Sequence, residues 1–192
     1  MGRNDRIHEL DDSTYEYIKE EVTGLFVRYD VKCIPINGFE LATKMGMVLI
    51  PYSALTPKKL EAAQEISHDV FYMEPGDEKE YIFYNDQVGY ERCNMTILHE
   101  IGHAVLGHSE ETDPEVAEAE AAFFAKYAAA PPPLVHKIQP DSPEKIADIF
   151  CISYEASWYA WNYYCTWKRF HFAYRRFTAY EVKLNELYGI TV

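Results

Sequence analysis

The stretch ERCNMTILHEIGHAVLG, residues 91–107, decides how the rest of the chain is read. Ile97, Leu98, Ile101, Ala104, Val105 and Leu106 surround the polar trio His99, Glu100 and His103, and Gly107 stands where a helix C-cap belongs. The pattern predicts a buried helix over about residues 91–106. Two histidines four residues apart on a helix are separated by about 40° around its axis and one turn along it, so both imidazoles reach one cation. Glu100, one position on, sits beside that face, where its carboxylate serves a polarised water rather than the cation and takes the water's proton as it attacks a carbonyl. Burial of such a trio is costly unless the groups are paired or bind a metal. The plain alternative is two core histidines hydrogen-bonded to backbone.

A catalytic zinc site takes a third protein ligand and leaves one position open. One known pattern wants Gly three and His six residues after the second histidine, but Leu106 and Ser109 stand there. His108, on a continued helix, projects about 140° away from His103. That leaves a carboxylate from the next segment. Asp113 caps it, Pro114 opens it, EVAEAEAAFFAKYAAA favours helix, and three consecutive prolines end it, so the composition predicts a helix over about residues 114–130. Glu115, Glu118 and Glu120 are the candidates on it; the plain reading of all three is a solvated acidic face.

Upstream, Tyr15, Ile18, Val22, Leu25, Phe26 and Tyr29 recur at helical spacing over residues 14–29. Pro35, Asn37 and Gly38 break the chain before a short helical run, 39–45, and a strand, 47–51, with another helix after Pro57. The stretches 69–73 and 80–85 are rich in Val, Phe, Tyr and Ile, and Glu74-Pro75-Gly76-Asp77 between them has turn chemistry, which predicts a β-hairpin. Downstream, Ser142-Pro143 opens a helix to Phe150, Ser153 caps one running towards Arg169, and a last helix covers about 179–187. The fold class expected is α+β: a small, mainly antiparallel sheet packed on the metal-bearing helix and the second ligand-bearing helix, closed by a helical carboxy-terminal segment. The division expected is 1–140 for the zincin-like unit and 141–192 for the helical segment.

The 192 residues suffice to bury a core without disulfides, and the four cysteines, Cys33, Cys93, Cys151 and Cys165, form no CxxC pair, which suits a reducing cytoplasm. The polar start MGRNDRIHELDD has no apolar centre of a secretory signal, and no run approaches 18 apolar residues, so neither export nor membrane insertion is expected. A formal net charge of −13 repels phosphate backbones and disfavours direct nucleic-acid binding. The exception is one basic-aromatic patch, Lys168, Arg169, Arg175 and Arg176 interleaved with Phe170, Phe172, Tyr174 and Phe177. Residues 142–160 also resemble a helix-turn-helix pair, but with Cys151 at the usual glycine and Glu155, Trp158, Tyr159 and Trp161 on the second helix. Among the remaining histidines, His136 is a candidate oxyanion donor whose plainer reading is a surface loop, and His8, His68 and His171 read as surface or capping residues.

HEIGHAVLGH, from His99 to His108, and EAEAAFFA, from Glu118 to Ala125, followed by Pro131, together resemble the ImmA/IrrE metallopeptidases of phages, mobile elements and bacterial stress regulators. The likeness spans roughly residues 30–155; it departs at Ala128-Ala129-Ala130, where the family carries leucines. The resemblance implies a gluzincin-like zinc endopeptidase with one Zn2+ per chain, manganese being the alternative cation. It implies Glu100 as catalytic base and His99, His103 and Glu120 as metal ligands, with Glu118 the fallback. It implies a protein substrate, a helix-turn-helix repressor of a mobile element or stress response. Two rival functions stand beside it: a non-cleaving module that sequesters a regulator, and a DNA-binding regulator using residues 142–176.

Overall fold

The computed structural model describes residues 10–190 except 75, 77, 78, 110 and 175. Helix α1, Asp12–Arg28, is capped by the Asp11 carboxylate accepting from the Thr14 N–H, and it buries Ile18, Val22, Leu25 and Phe26. Helix α2, Gly38–Met45, follows and is capped by Asn37. Strand β1, Val48–Pro51, leads through a 3-10 turn at Tyr52–Ala54 into helix α3, Pro57–Ile66. Strands β2, Val70–Met73, and β3, Tyr81–Tyr84, complete the sheet. The expected turn between them includes Pro75 and Asp77, which lie outside the described residues.

The fold class is α+β, as expected. The sheet order is β1-β3-β2, with β2 antiparallel to β3 and β1 parallel to it. The hairpin is therefore present, while the parallel pair makes the sheet mixed: after α3 the chain returns as β2, opposite in direction to β1, and the hairpin then reverses it so that β3 lies between them, parallel to β1. Side chains alternate across the sheet. Val70 and Ile82 join the main core, while Phe71 and Phe83 belong to a smaller cluster with Tyr52 and Ala63 beside α3.

Helix α4, Tyr90–Leu106, lies against the sheet and buries Cys93, Ile97, Leu98 and Ile101. Its start is tied down by Asn94, whose Oδ1 accepts from the Gly38 N–H at 2.6 Å and whose Nδ2 donates to the Ile36 carbonyl at 3.0 Å. Helix α5, Pro114–Ala129, capped by Asp113, packs along α4 more extensively than any other pair of elements. Gly102 makes that approach possible: a Cβ there would stand 3.1 Å from the Phe124 side chain.

The three prolines end α5 as expected, yet Pro132 and Pro133 also begin helix α6, Pro132–Ile138. The reason is that proline's fixed φ and missing N–H suit the first turn of a helix. Helices α7, Pro143–Phe150, α8, Tyr154–Tyr174, and α9, Ala179–Leu187, close the chain, with α9 packed on α1 and α8 on α6 and α7. Among the described residues no helix is long and apolar enough to cross a membrane.

Candidate metal centre

The site is built on α4 where the helix meets β2 on one side and α5 on the other. The helix places His99, Glu100 and His103 on adjoining positions, and the His99 and His103 Nε2 atoms stand 3.0 Å apart. From α5, Glu118 completes the group: its Oε2 is 3.3 Å from His99 Nε2 and its Oε1 is 3.5 Å from His103 Nε2. One ligand atom from each of these three residues falls within 4.8 Å of the others. A tetrahedral ion with bonds of about 2.0–2.2 Å spaces its donors about 3.3 Å apart. The donor set and its spacing fit a zinc-like cation.

Burial decides the protonation of the two imidazoles. It pushes His103 down to about 4, with the neighbouring His99 adding to the effect, and it lowers His99 against the opposing pull of Glu118. Near neutral pH both rings carry a bare nitrogen, so neither forms an ion pair with Glu118. Burial likewise pushes Glu100 up to about 7. Its Oε2 accepts from the Tyr72 N–H of β2 at 3.2 Å, a contact that opposes the rise and that no local motif foretells.

Glu120, the expected third ligand, stands elsewhere. The structure places its Oε2 2.8 Å from His108 Nε2, and it places Glu118, the fallback, at the histidine pair. The physical reason is helical: residues two apart project about 160° from each other, so the rotation of α5 against α4 admits one carboxylate and turns the other away. Glu115 contributes its N–H to the Asp113 cap.

His108 is also placed differently from its expected direction. The helix stops at Leu106, and Gly107 adopts a left-handed φ of 70° that turns the chain back, with the His108 N–H bonded to the His103 carbonyl. Its Nδ1 consequently lies 2.8 Å from His103 Nδ1. The signal was present, since a glycine C-cap means that helical extrapolation fails at the following residue.

Of the other histidines, His136 lies on α6 rather than in a loop, and its Nδ1 is 3.0 Å from the Tyr164 hydroxyl. His171 stacks flat on Trp167, with ring centroids 4.9 Å apart. The His68 carbonyl accepts from Asn85, and His8 lies outside the described residues, as does Arg175 of the basic-aromatic patch. Cys93 is buried and its thiol is pushed up to about 11, which suits a packing residue. A cavity of about 250 Å3 opens beside His99, lined by Met95, Thr96, Ala122, Ala125 and Lys126.

A family model described as the IrrE N-terminal-like domain, a peptidase family, matches residues 58–161, which is more than half of the 192 residues and includes α4 and α5 whole. No curated protein matches the chain.

Proposed function

Because the chain belongs to the IrrE N-terminal-like family of metallopeptidases, we propose that it is a zinc-dependent endopeptidase in which His99, His103 and Glu118 hold the metal and Glu100 is the general base. The observation that carries this reading is the meeting of a carboxylate with two imidazoles that burial keeps unprotonated. Neutral imidazoles offer a carboxylate no opposite charge, whereas one divalent cation takes a lone pair from all three residues at once. When bound, such a cation supplies Lewis acidity, drawing charge from a carbonyl oxygen and making water acidic enough to lose a proton near neutral pH.

Glu100 handles that proton. The Tyr72 N–H holds Oε2, which leaves Oε1 to accept the proton from the attacking water and return it to the leaving nitrogen. A carboxyl titrating at about 7 is matched to accepting and donating near neutrality. In this reading, the apolar cavity beside His99 receives one substrate side chain.

The substrate in this reading is a helix-turn-helix repressor. Its support is the resemblance of the HEIGH and EAEAAFFA motifs to peptidases that act on such regulators, together with the net charge of −13, which draws in the cationic surface that a DNA-binding protein carries. An extended segment of the substrate would align along β2, an edge strand of the sheet.

The test is a cleavage assay on a purified repressor of this class, read by mass spectrometry, with wild type and Glu100→Gln loaded with zinc. Wild type is expected to yield two fragments; Glu100→Gln is expected to bind zinc and repressor as wild type does while cleaving roughly 10²- to 10⁴-fold more slowly. A wild type that binds metal and repressor yet leaves it intact would replace the endopeptidase with the non-cleaving module.

A further inference from the structure

We propose that His108 and Glu120 are positioning residues, a carboxylate–imidazole relay that holds His103 in the tautomer whose Nε2 lone pair faces the metal. The inference rests on the reading above, that His99, His103 and Glu118 hold the cation.

The argument is a count of donors and acceptors. An ionised carboxylate only accepts, so Glu120 Oε2, 2.8 Å from His108 Nε2, requires the His108 proton on Nε2. A cation on His103 Nε2 leaves the one hydrogen of that ring on Nδ1, so the His108 Nδ1 facing it must accept and His108 carries a single hydrogen. The His103 Nδ1, 2.8 Å from the His108 Nδ1, is then the donor of the pair. His103 is left with a bare Nε2, and that is the atom 3.0 Å from His99 Nε2 and 3.5 Å from Glu118 Oε1. The reverse order fails, because a proton on His103 Nε2 would occupy the lone pair that the cation requires.

The relay is held where water cannot easily replace its parts. The side chain of His108 is 7% exposed and that of Glu120 21%, whereas Glu118 on the metal side is 67% exposed. The left-handed Gly107 and the His108 N–H on the His103 carbonyl fix the backbone that carries the ring. A histidine ligand's outer nitrogen is commonly bonded in this way, and loss of such a partner typically weakens metal binding 10- to 100-fold. Here the partner is a second histidine, supplied by the turn that ends the same helix, and the carboxylate behind it comes from the helix that also supplies Glu118.

The experiment measures zinc affinity by chelator competition for wild type and for His108→Phe, His108→Gln, Glu120→Leu and Glu118→Ala, each checked for folding by its melting profile. His108→Phe keeps a ring but accepts no hydrogen bond; His108→Gln loses the ring but keeps one acceptor and one donor. The relay predicts a roughly 10- to 100-fold weakening in His108→Phe and Glu120→Leu, substantial recovery in His108→Gln, and a double variant His108→Phe/Glu120→Leu little worse than either single one. A packing role predicts the opposite order, with Phe tolerated better than Gln, and that order would overturn the proposal.

Should the Phe variant not fold, long-range proton–nitrogen NMR of the metal-free wild type decides the matter: the relay requires His103 protonated on Nδ1, and a proton on Nε2 overturns it. If Glu120→Leu removes zinc binding altogether and Glu118→Ala leaves it intact, the underlying ligand assignment fails. If Glu118→Ala removes binding and the His108 variants bind as wild type, only the relay fails.

Discussion

Helices α4 and α5 build the two halves of the site by different means. On α4 the donors are related by the helix itself: His99 and His103 are one turn apart, and their Nε2 atoms stand 3.0 Å from each other. On α5, two glutamates two residues apart have separate fates, Glu118 in the open beside the histidines and Glu120 tucked against His108. Spacing along one helix fixes what its own residues can do together. The rotation of a second helix, set here by the Gly102–Phe124 approach, fixes which of its residues take part.

The largest effect should come from breaking the α5 half. Glu118→Ala removes one of the three proposed ligands, and if a ligand carries about a third of the roughly 10–16 kcal/mol that a zinc site can release, the affinity is expected to fall on the order of a thousandfold. Glu115→Ala, which deletes only a carboxylate on the first turn of the same helix, should leave zinc affinity unchanged in the same chelator titration. Equal losses in the two variants would mean that α5 acts through its charge and supplies no particular ligand.

The same contrast explains what could be read from the sequence. The helix expected over 91–106 is found at Tyr90–Leu106, and that expected over 114–130 is found at Pro114–Ala129, because caps and apolar spacing are local signals. The approach of His99 to His103 was legible for the same reason. Which of Glu118 and Glu120 faces the histidine pair was not, since it depends on the angle at which α5 lies against α4. The direction of His108 escapes helical spacing because the left-handed Gly107 turns the chain before it, and the parallel β1–β3 pairing needs a partner 33 residues away, as in Val48 with Tyr81. The Tyr72 N–H on Glu100 joins an edge strand to a helix 28 residues further on, and no motif records it.

On the α4 side, the expected effect is smaller and depends on pH. Glu100 titrates at about 7 in the folded, metal-free protein against an ordinary value of 4.5. Below 4.5 it is protonated in both states; as pH rises to 7 the unfolded chain loses the proton first, so stability falls by about 3 kcal/mol across that window. His103, held at about 4, acts in the other direction between 4 and 6.5, so the difference between wild type and Glu100→Gln is the quantity to follow. In urea unfolding of the metal-free protein, Glu100→Gln should match wild type near pH 4.5 and exceed it by about 3 kcal/mol at pH 8. A gap of the same size at both pH values would place its origin in packing and not in the buried charge.

The smallest expected effect tests the joint between the two helices. A Cβ at Gly102 would meet Phe124 at 3.1 Å, whereas one at the exposed Gly24 of α1 would meet nothing within 4 Å. Gly102→Val should therefore lower stability by about 1–3 kcal/mol through overpacking, even though glycine is itself a poor helix former. Gly24→Ala should raise it by up to about 1 kcal/mol through helix propensity alone. The sharper measurement is zinc affinity: Glu118 lies six residues before Phe124 on one rigid helix, so pushing Phe124 away carries the carboxylate off the two imidazoles, and Gly102→Val should bind zinc more weakly than its stability loss alone requires. If it loses stability and keeps wild-type zinc affinity, α5 yields locally at Phe124, and the position of Glu118 is fixed by something other than the contact at Gly102.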